Sequence, residues 1–437
     1  MSLSSYRVET CREAIAAKNH ELRAVLHVVE KPEKRRTLEG PGPLDGVPFV
    51  LKDSWDTAGV PTTGGAYRNK GRIPTVSSHA AAALFESGAL LLGKSNVGDM
   101  CLSAESDNHL FGAAKNPIDM RRTAGGSTGG GAAAVASGMA AFDWGTDFGG
   151  SVRVPAAFCG LVGLRLSASV WPVEQHHFPR IGEHFWPMVA MGPVTRRVAE
   201  ARELVDVLAP ALRSAHAPSL DVADFSNEVA LLEPDRAHLG SWPGFVDEMR
   251  DYLVRKGLAA RVERDLLAPS RGQLAFDAWL SLHLAKLPGP GEPSIAQGLL
   301  PTLLGLFTWG KLDKRIHPNT GGNLLLCGVG ALAFRPFRAR LEGLVRDVRR
   351  EVERVWTSGR LVIAPTTTQP APRHGRALFS PSLLTFGKYG NLVDATSIAV
   401  PFGRFPDGLP RSFQIMGPPG SERAVLALAE RLEQSAD

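Results

Sequence analysis

The sequence predicts an α/β fold: a single large domain whose mixed, mostly parallel central sheet is covered by helices on both faces. Three observations predict it. Short apolar runs alternate with amphipathic stretches of helical period. At 437 residues the chain suits one large core or two closely joined ones. Its 46 Gly and 32 Pro supply the turns that such alternation requires.

Residues 6–30 read as one or two amphipathic helices. PLDGVPFVLKD (43–53) turns on Gly and Pro, then enters a short buried strand from Val47 to Leu51. Residues 77–90 read as a helix capped by Ser77 or Ser78, and the next strand begins in Leu90–Gly93. Further helices are expected over 194–213, 244–264 and 335–356, the last with good i,i+4 charge pairing. LVIAPTT (361–367) and TSIAVPFG (396–403) read as buried strands, and 421–434 as a closing amphipathic helix. Residues 265–325, rich in Leu, Pro and Gly, show no clear period.

Composition excludes several function classes. Apolar residues make up 44% and charged residues 21%, as in soluble globular proteins. The net charge of +5 is thinly spread, with no basic tail or lysine-rich stripe, so nucleic acid is not an expected partner. Arg121, Arg122, Arg349 and Arg350 read as solvated faces. Cys11, Cys101, Cys159 and Cys327 are scattered and form no CxxC, which points to a reducing, cytoplasmic setting. The N-terminus has no apolar signal core, and no uncharged apolar run approaches a spanning length of about 20 residues.

Chemistry concentrates in TAGGSTGGGAAAVASG (123–138) and GTDFGGSVRVPAAFCG (145–160). Each has a Gly-Gly-Ser core. Paired glycines let the backbone fold tightly and let N–H groups converge, as a developing oxyanion requires. The Ala-rich run after the first core should be a helix, with its positive end near Ser127 and Thr128. Neither core continues as the GK[ST] of a phosphate loop, and GxGxxG is missing. Simple turn glycines would not explain two such cores within thirty residues, one followed by Arg and Pro.

A serine nucleophile needs a base. His176 and His177 are adjacent and look like a loop; no HExxH spacing or GxSxG elbow exists, and no metal or cofactor is expected. Lys52 is the candidate, because it ends the apolar run FVLKD, where a charged amine is costly. Desolvation lowers a lysine pKa, and a neutral amine can accept a proton.

With these residues in place, the chain resembles the amidase signature family. GVPFVLKD carries the family's lysine (Lys52), GGSTGG its bridging serine (Ser127) and DFGGSVRVP its nucleophile (Ser151). GKSN, LFGAAKNP, GLVGLR, MGPVTRRV and VPFGRFPDGLPRSFQIMGP follow in family order. The likeness therefore covers nearly all of 1–437 as one domain and is weakest at about 210–350, a variable substrate-side region. It implies that neutral Lys52 relays protons through Ser127 to Ser151, which forms an acyl-enzyme with a carboxylic amide. It also implies a cis peptide at Gly126–Ser127. The N–H groups of Phe148, Gly149, Gly150 and Ser151 would form the oxyanion hole, and backbone near Cys101 would line the substrate site. Asp147 and Arg153 read as loop braces. Departures are Gly131 where Ser or Glu is usual, Leu164–Arg165–Leu166 for GLKP-type endings, Thr128 for Ser, and Asp99 for Glu.

CLSAESDNHLFGAAKNP (101–117) and APTTTQPAPRHG (364–375) look most like fatty-acid-amide-hydrolase-type amidases, which implies a small or apolar-acyl amide as substrate. The segment 298–315, with Leu303, Leu304, Leu306, Phe307 and Trp309 before Lys311, Lys314 and Arg315, reads first as a cap over the pocket. Its second reading is a peripheral membrane contact. A homodimer is common in the family. Two rival functions are the amidase subunit of a tRNA-dependent amidotransferase and a non-catalytic binding protein on the same fold.

Overall fold

The computed structural model describes residues 2–32, 35–173, 188–235, 240, 242–263, 269–284 and 317–433. The segment 298–315 and His176 and His177 lie outside them. Eleven strands are present among the described residues. They are β1 (Val25–Leu26), β2 (Pro48–Lys52), β3 (Leu90–Ser95), β4 (Phe142–Asp147), β5 (Val162–Arg165) and β6 (Ala190–Thr195). The rest are β7 (Glu228–Leu232), β8 (Ala259–Glu263), β9 (Val362–Pro365), β10 (Thr396–Arg404) and β11 (Pro410–Gly417). They form one sheet in the order β1-β3-β2-β4-β6-β5-β10-β11-β9-β7-β8.

The expected mixed α/β sheet is present. Parallel pairing is confined to two blocks, β3-β2-β4 and β9-β7-β8. The remaining six pairings are antiparallel, more than the alternation of strands and helices predicts. Four strands, β4, β5, β6 and β11, are largely responsible. Their Gly, Thr and Ser content hides an extended run from a reading based on apolar periodicity.

Helices cover both faces. One face carries α1 (Val8–Leu22), then α3 (Gly129–Ala136) and α4 (Arg153–Phe158), packed on Val50, Leu92 and Val194. The other carries α2 (His79–Glu86), α5 (Val198–Leu212) and α6 (Phe245–Arg255), packed on Phe49, Leu51 and Trp144. Alternation along a strand therefore decides which layer a residue joins: Phe49 and Leu51 face one way, and Val50 and Lys52 the other. Beyond β10 the first face continues with α7 (Pro269–Leu284), on which α8 (Pro318–Phe334) packs, and with α9 (Arg338–Thr357) and α10 (Thr385–Leu392). The chain closes on α11 (Glu422–Leu432). Among the described residues no helix is long and apolar enough to cross a membrane.

Several boundaries differ from the sequence reading, each for a local reason. The N-terminal region is not helical throughout 6–30. It leaves α1 at Arg23, whose φ is 50°, and the Asn19 side chain accepts from the Ala24 and Val25 N–H groups to start β1. The helix expected over 244–264 stops at Arg255; Gly257 turns with φ 70° and 259–263 extend as β8. Ser78, not Ser77, caps α2 by accepting from the Ala81 N–H.

The small residues of α3 let it lie directly against the strand ends. A Cβ on Gly130 would stand 2.3 Å from Asn96 N and 2.7 Å from Ala24 O, both backbone atoms that cannot swing away. Gly130→Ala should therefore lose about 1–3 kcal/mol of stability, or fail to fold, in chemical denaturation. Gly46→Ala, where a Cβ meets nothing within 4 Å but φ is 78°, separates conformational strain from crowding and should lose less.

Candidate active site

Lys52 is the last residue of β2 and is fully buried on the α3 side of the sheet. Its Nζ lies 2.9 Å from Ser127 Oγ, 3.0 Å from the Thr146 carbonyl oxygen and 2.9 Å from Thr146 Oγ1. All three partners are uncharged. Burial pushes the Lys52 pKa down, against the opposing pull of Cys101, Asp143 and Asp147. A neutral amine at this site donates two hydrogen bonds and accepts one, so the Ser127 hydroxyl can donate to it.

Ser127 follows a cis Gly126–Ser127 peptide, as the family resemblance implied. Gly126 is needed for close approach: a Cβ there would stand 2.5 Å from Ser103 O and 2.6 Å from Glu105 N. The two Gly-Gly-Ser cores meet through the backbone, where the Thr128 N–H donates to the Ser151 carbonyl at 3.2 Å. Lys52, Ser127 and Ser151, up to 99 positions apart in the chain, thus come from β2, the turn into α3 and the turn into α4.

Ser151 opens onto a cavity of about 540 Å³. Gly126, Cys101, Phe148 and Gly149 border the same space. Its outer wall is largely apolar, including Phe276, Leu280, Leu326, Val329, Phe334 and Leu383. The buried Cys101 thiol neighbours Lys52, and burial pushes its pKa up.

The family resemblance implies a place for the Gly150 N–H in the oxyanion hole. That N–H donates to Asp147 Oδ1 at 2.9 Å, which holds Gly150 in the loop. Gly150 has φ 110°, which explains why glycine stands there. Asp147 also accepts from the Val152 and Arg153 N–H groups at 3.1 and 3.4 Å.

The reading of Asp147 and Arg153 as braces fits this geometry. Both side chains are fully buried and paired at 2.9 Å. Arg153 further donates to Gln414 Oε1 at 2.7 Å, Asn391 Oδ1 at 2.6 Å and the Gly387 carbonyl at 2.9 Å. This fastens the Ser151 turn to α10 and β11. Thr146, Asn391, Gln414 and the α8 wall were not singled out from the sequence. Thr146, inside the GTDFGG core, and Gln414, inside VPFGRFPDGLPRSFQIMGP, lay in segments already marked. Asp99, one departure from the family pattern, accepts from the His317 N–H at 2.7 Å and anchors the start of α8.

Arg153→Ala strands a buried carboxylate and should cost about 3–5 kcal/mol in denaturant unfolding. Arg153 holds the Asp147 carboxyl well below the ordinary carboxylate range, although burial alone opposes this. The depressed folded pKa means that Asp147 contributes stability above its unfolded pKa of about 4. That contribution should fall away as pH drops through its lower folded value, and unfolding midpoints measured against pH will show it.

The model of the family named Amidase matches residues 5–249. A glutamyl-tRNA(Gln) amidotransferase subunit from Methanosarcina acetivorans is 29% identical, the match covering 92% of this chain and 87% of the relative. The corresponding protein of Carboxydothermus hydrogenoformans is 30% identical over 93% and 87%. Among solved structures, the glutamyl-tRNA(Gln) amidotransferase subunit of Thermotoga maritima superposes with a TM-score of 0.75 at 22% identity, covering 97% of this chain and 90% of that one. A bacterial aryl acylamidase of the amidase signature family gives 0.75 at 24%, covering 99% and 92%. These two show the shared fold.

The relatives' names correct one expectation. They are named for a tRNA, and as parts of an amidotransferase, which overturns the picture of a chain whose partner is a small-molecule amide and never nucleic acid. A thin spread of charge bears only on contacts the chain makes itself; it is silent about what an assembly holds. The match over residues 5–249, with relatives at 30% identity across nearly the whole length, establishes that the chain belongs to the amidase family, whose members are hydrolases of amide C–N bonds.

Proposed function

We propose that the chain cleaves a carboxylic amide through an acyl-enzyme on Ser151, with Ser127 and neutral Lys52 as its proton relay. The observation that carries this is the buried Lys52 amine, 2.9 Å from Ser127 Oγ with only uncharged partners. In the forward step the Ser151 hydroxyl gives its proton to Ser127 while the Ser127 hydroxyl gives its own to Lys52 Nζ. Ser151 Oγ then bonds to the amide carbon. Reversal of the relay protonates the leaving nitrogen as the C–N bond breaks, and water releases the acid by the same route. Phe148, Gly149 and Ser151, which border the cavity, are the segment we assign to the oxyanion; Gly150 serves by shaping it.

For the biological role, we favour the amidase component of a tRNA-dependent amidotransferase, in which the released nitrogen passes to a partner protein. Support comes from relatives of that name aligned over more than nine tenths of the chain. We take the whole span as one amidase domain and the cytoplasm as its compartment, in keeping with four free cysteines. A second reading, an amide with an apolar acyl group, is favoured by the apolar cavity wall.

Ammonia release from glutamine and asparagine, measured beside hydrolysis of anilides graded by acyl length, separates the two readings. The amidotransferase reading expects the amino-acid amides to win once the partner proteins are added. Rates that climb with acyl length in the chain alone would support the second. Ser151→Ala should abolish turnover and labelling by a fluorophosphonate. Lys52→Ala should lower both by orders of magnitude at neutral pH, and near-full activity would sink the relay. In the native chain the rate of labelling should rise with pH as Lys52 loses its proton, a point that burial shifts to lower pH.

A further inference from the structure

The relay uses one buried titratable group on this face of the sheet, but a second stands beside it. Asp143 lies on β4 and pairs with Val50, two residues before Lys52 on the same face of β2. Ser95, the neighbour that pairs with Lys52 across β2 and β3, donates its hydroxyl to Asp143 Oδ1 at 2.7 Å. Asp143 is fully buried, and its Oδ2 has no hydrogen-bond partner among the described residues. The roof over this oxygen is Gly131 of α3, where a Cβ would stand 2.4 Å from Oδ2 and 2.3 Å from Cγ. Gly131 is the position at which the family usually carries Ser or Glu. In this chain the polar group arrives from the strand below, and the helix residue is small enough to admit it.

We propose that Asp143 is a positioning residue for the Lys52 amine, its carboxyl, held by Ser95 and roofed by Gly131, setting the pH at which Lys52 gives up its proton. This rests on the reading of Lys52 as the base. A buried carboxyl with one unpaired oxygen is costly as an anion unless a cation lies near. The charged groups facing it are Lys52 on β2 and Lys94 on β3, and α3 offers none. Lys94 is turned to the opposite layer, where it donates to the Trp55 carbonyl, Thr57 and Thr62 and faces Asp53. Lys52 has Cys101, Asp143 and Asp147 about it, and Asp147 is committed to Arg153. Asp143 is therefore the carboxylate left to act on the amine. Burial pushes the Asp143 pKa up to about 7, which places its ionisation in the neutral range where a base must work.

The sign follows from charge. Ionised Asp143 favours the Lys52 ammonium, so removing that charge frees the neutral amine at lower pH. The readout is the second-order rate of Ser151 labelling by a fluorophosphonate, measured against pH. D143N should label about tenfold faster than the native chain at a fixed pH on the acid limb, with the plateau little changed. S95A makes the Asp143 anion costlier and should shift the limb the same way by less. It removes only a hydroxyl, so it gives a folded variant whatever D143N does. An acid limb that stays in place in folded D143N, or in S95A where D143N does not fold, overturns the proposal, even with lowered stability. K52A keeps this failure apart from that of the relay. If K52A labels at the native rate, the base assignment is wrong; if K52A is inert and the limb does not move, only the role of Asp143 is.

Discussion

The site depends on one constraint: an amine carried 0% exposed into a place where its hydrogen-bond partners are neutral oxygens. Taking a charge out of water is expensive, and among the described residues no carboxylate bonds Lys52 directly to offset that expense. Burial lowers the pKa of the amine, toward the uncharged form that a relay through Ser127 would require. Everything around it serves to keep that amine dry and aligned. The α3 helix presses on the strand end through glycine and alanine, and the sheet supplies the Thr146 oxygens from the adjoining strand.

Charge is treated differently a few residues away. The Asp147–Arg153 pair is equally buried, yet its charges are matched and the guanidinium bonds in several directions at once. This pair works as a clamp, tying the Ser151 turn to distant helix and strand. Its carboxylate also accepts from the Gly150 N–H, which holds that residue in the loop. The loop is thereby held open toward the cavity at Phe148, Gly149 and Ser151 and closed behind it. The turn that carries Ser151 thus sits between the uncharged partners of Lys52 and this charged brace.

The cavity joins these polar devices to an apolar wall contributed by α7 and α8. Asp99 and Asn323 fasten α8 to the loop that carries Cys101, through the His317 N–H and the Leu102 carbonyl. The wall is therefore joined to the loop that carries Cys101 through Asp99 and His317, which stand 218 positions apart in the chain.

Lys52, Ser127 and Ser151 were legible in the sequence because each sits in a short motif whose residue types have few other uses. So were the α/β class and most helices and strands, since period and punctuation are local properties. Where glycine or threonine stood in a strand, as in β4, β5 and β6, the apolar pattern failed and pairing was decided by neighbours in space. The helix expected over 244–264 breaks at Gly257, a residue type that commonly ends helices but that an apolar helical period alone passes over. The sequence by itself determined the amidase class, because the motifs around Lys52, Ser127 and Ser151 are encoded residue by residue. Only the tertiary structure decided how deeply Lys52 is buried, which oxygens of β4 meet its amine, and how closely Asp143 approaches Gly131. Those depend on burial and on distances between strands, and no single segment holds either.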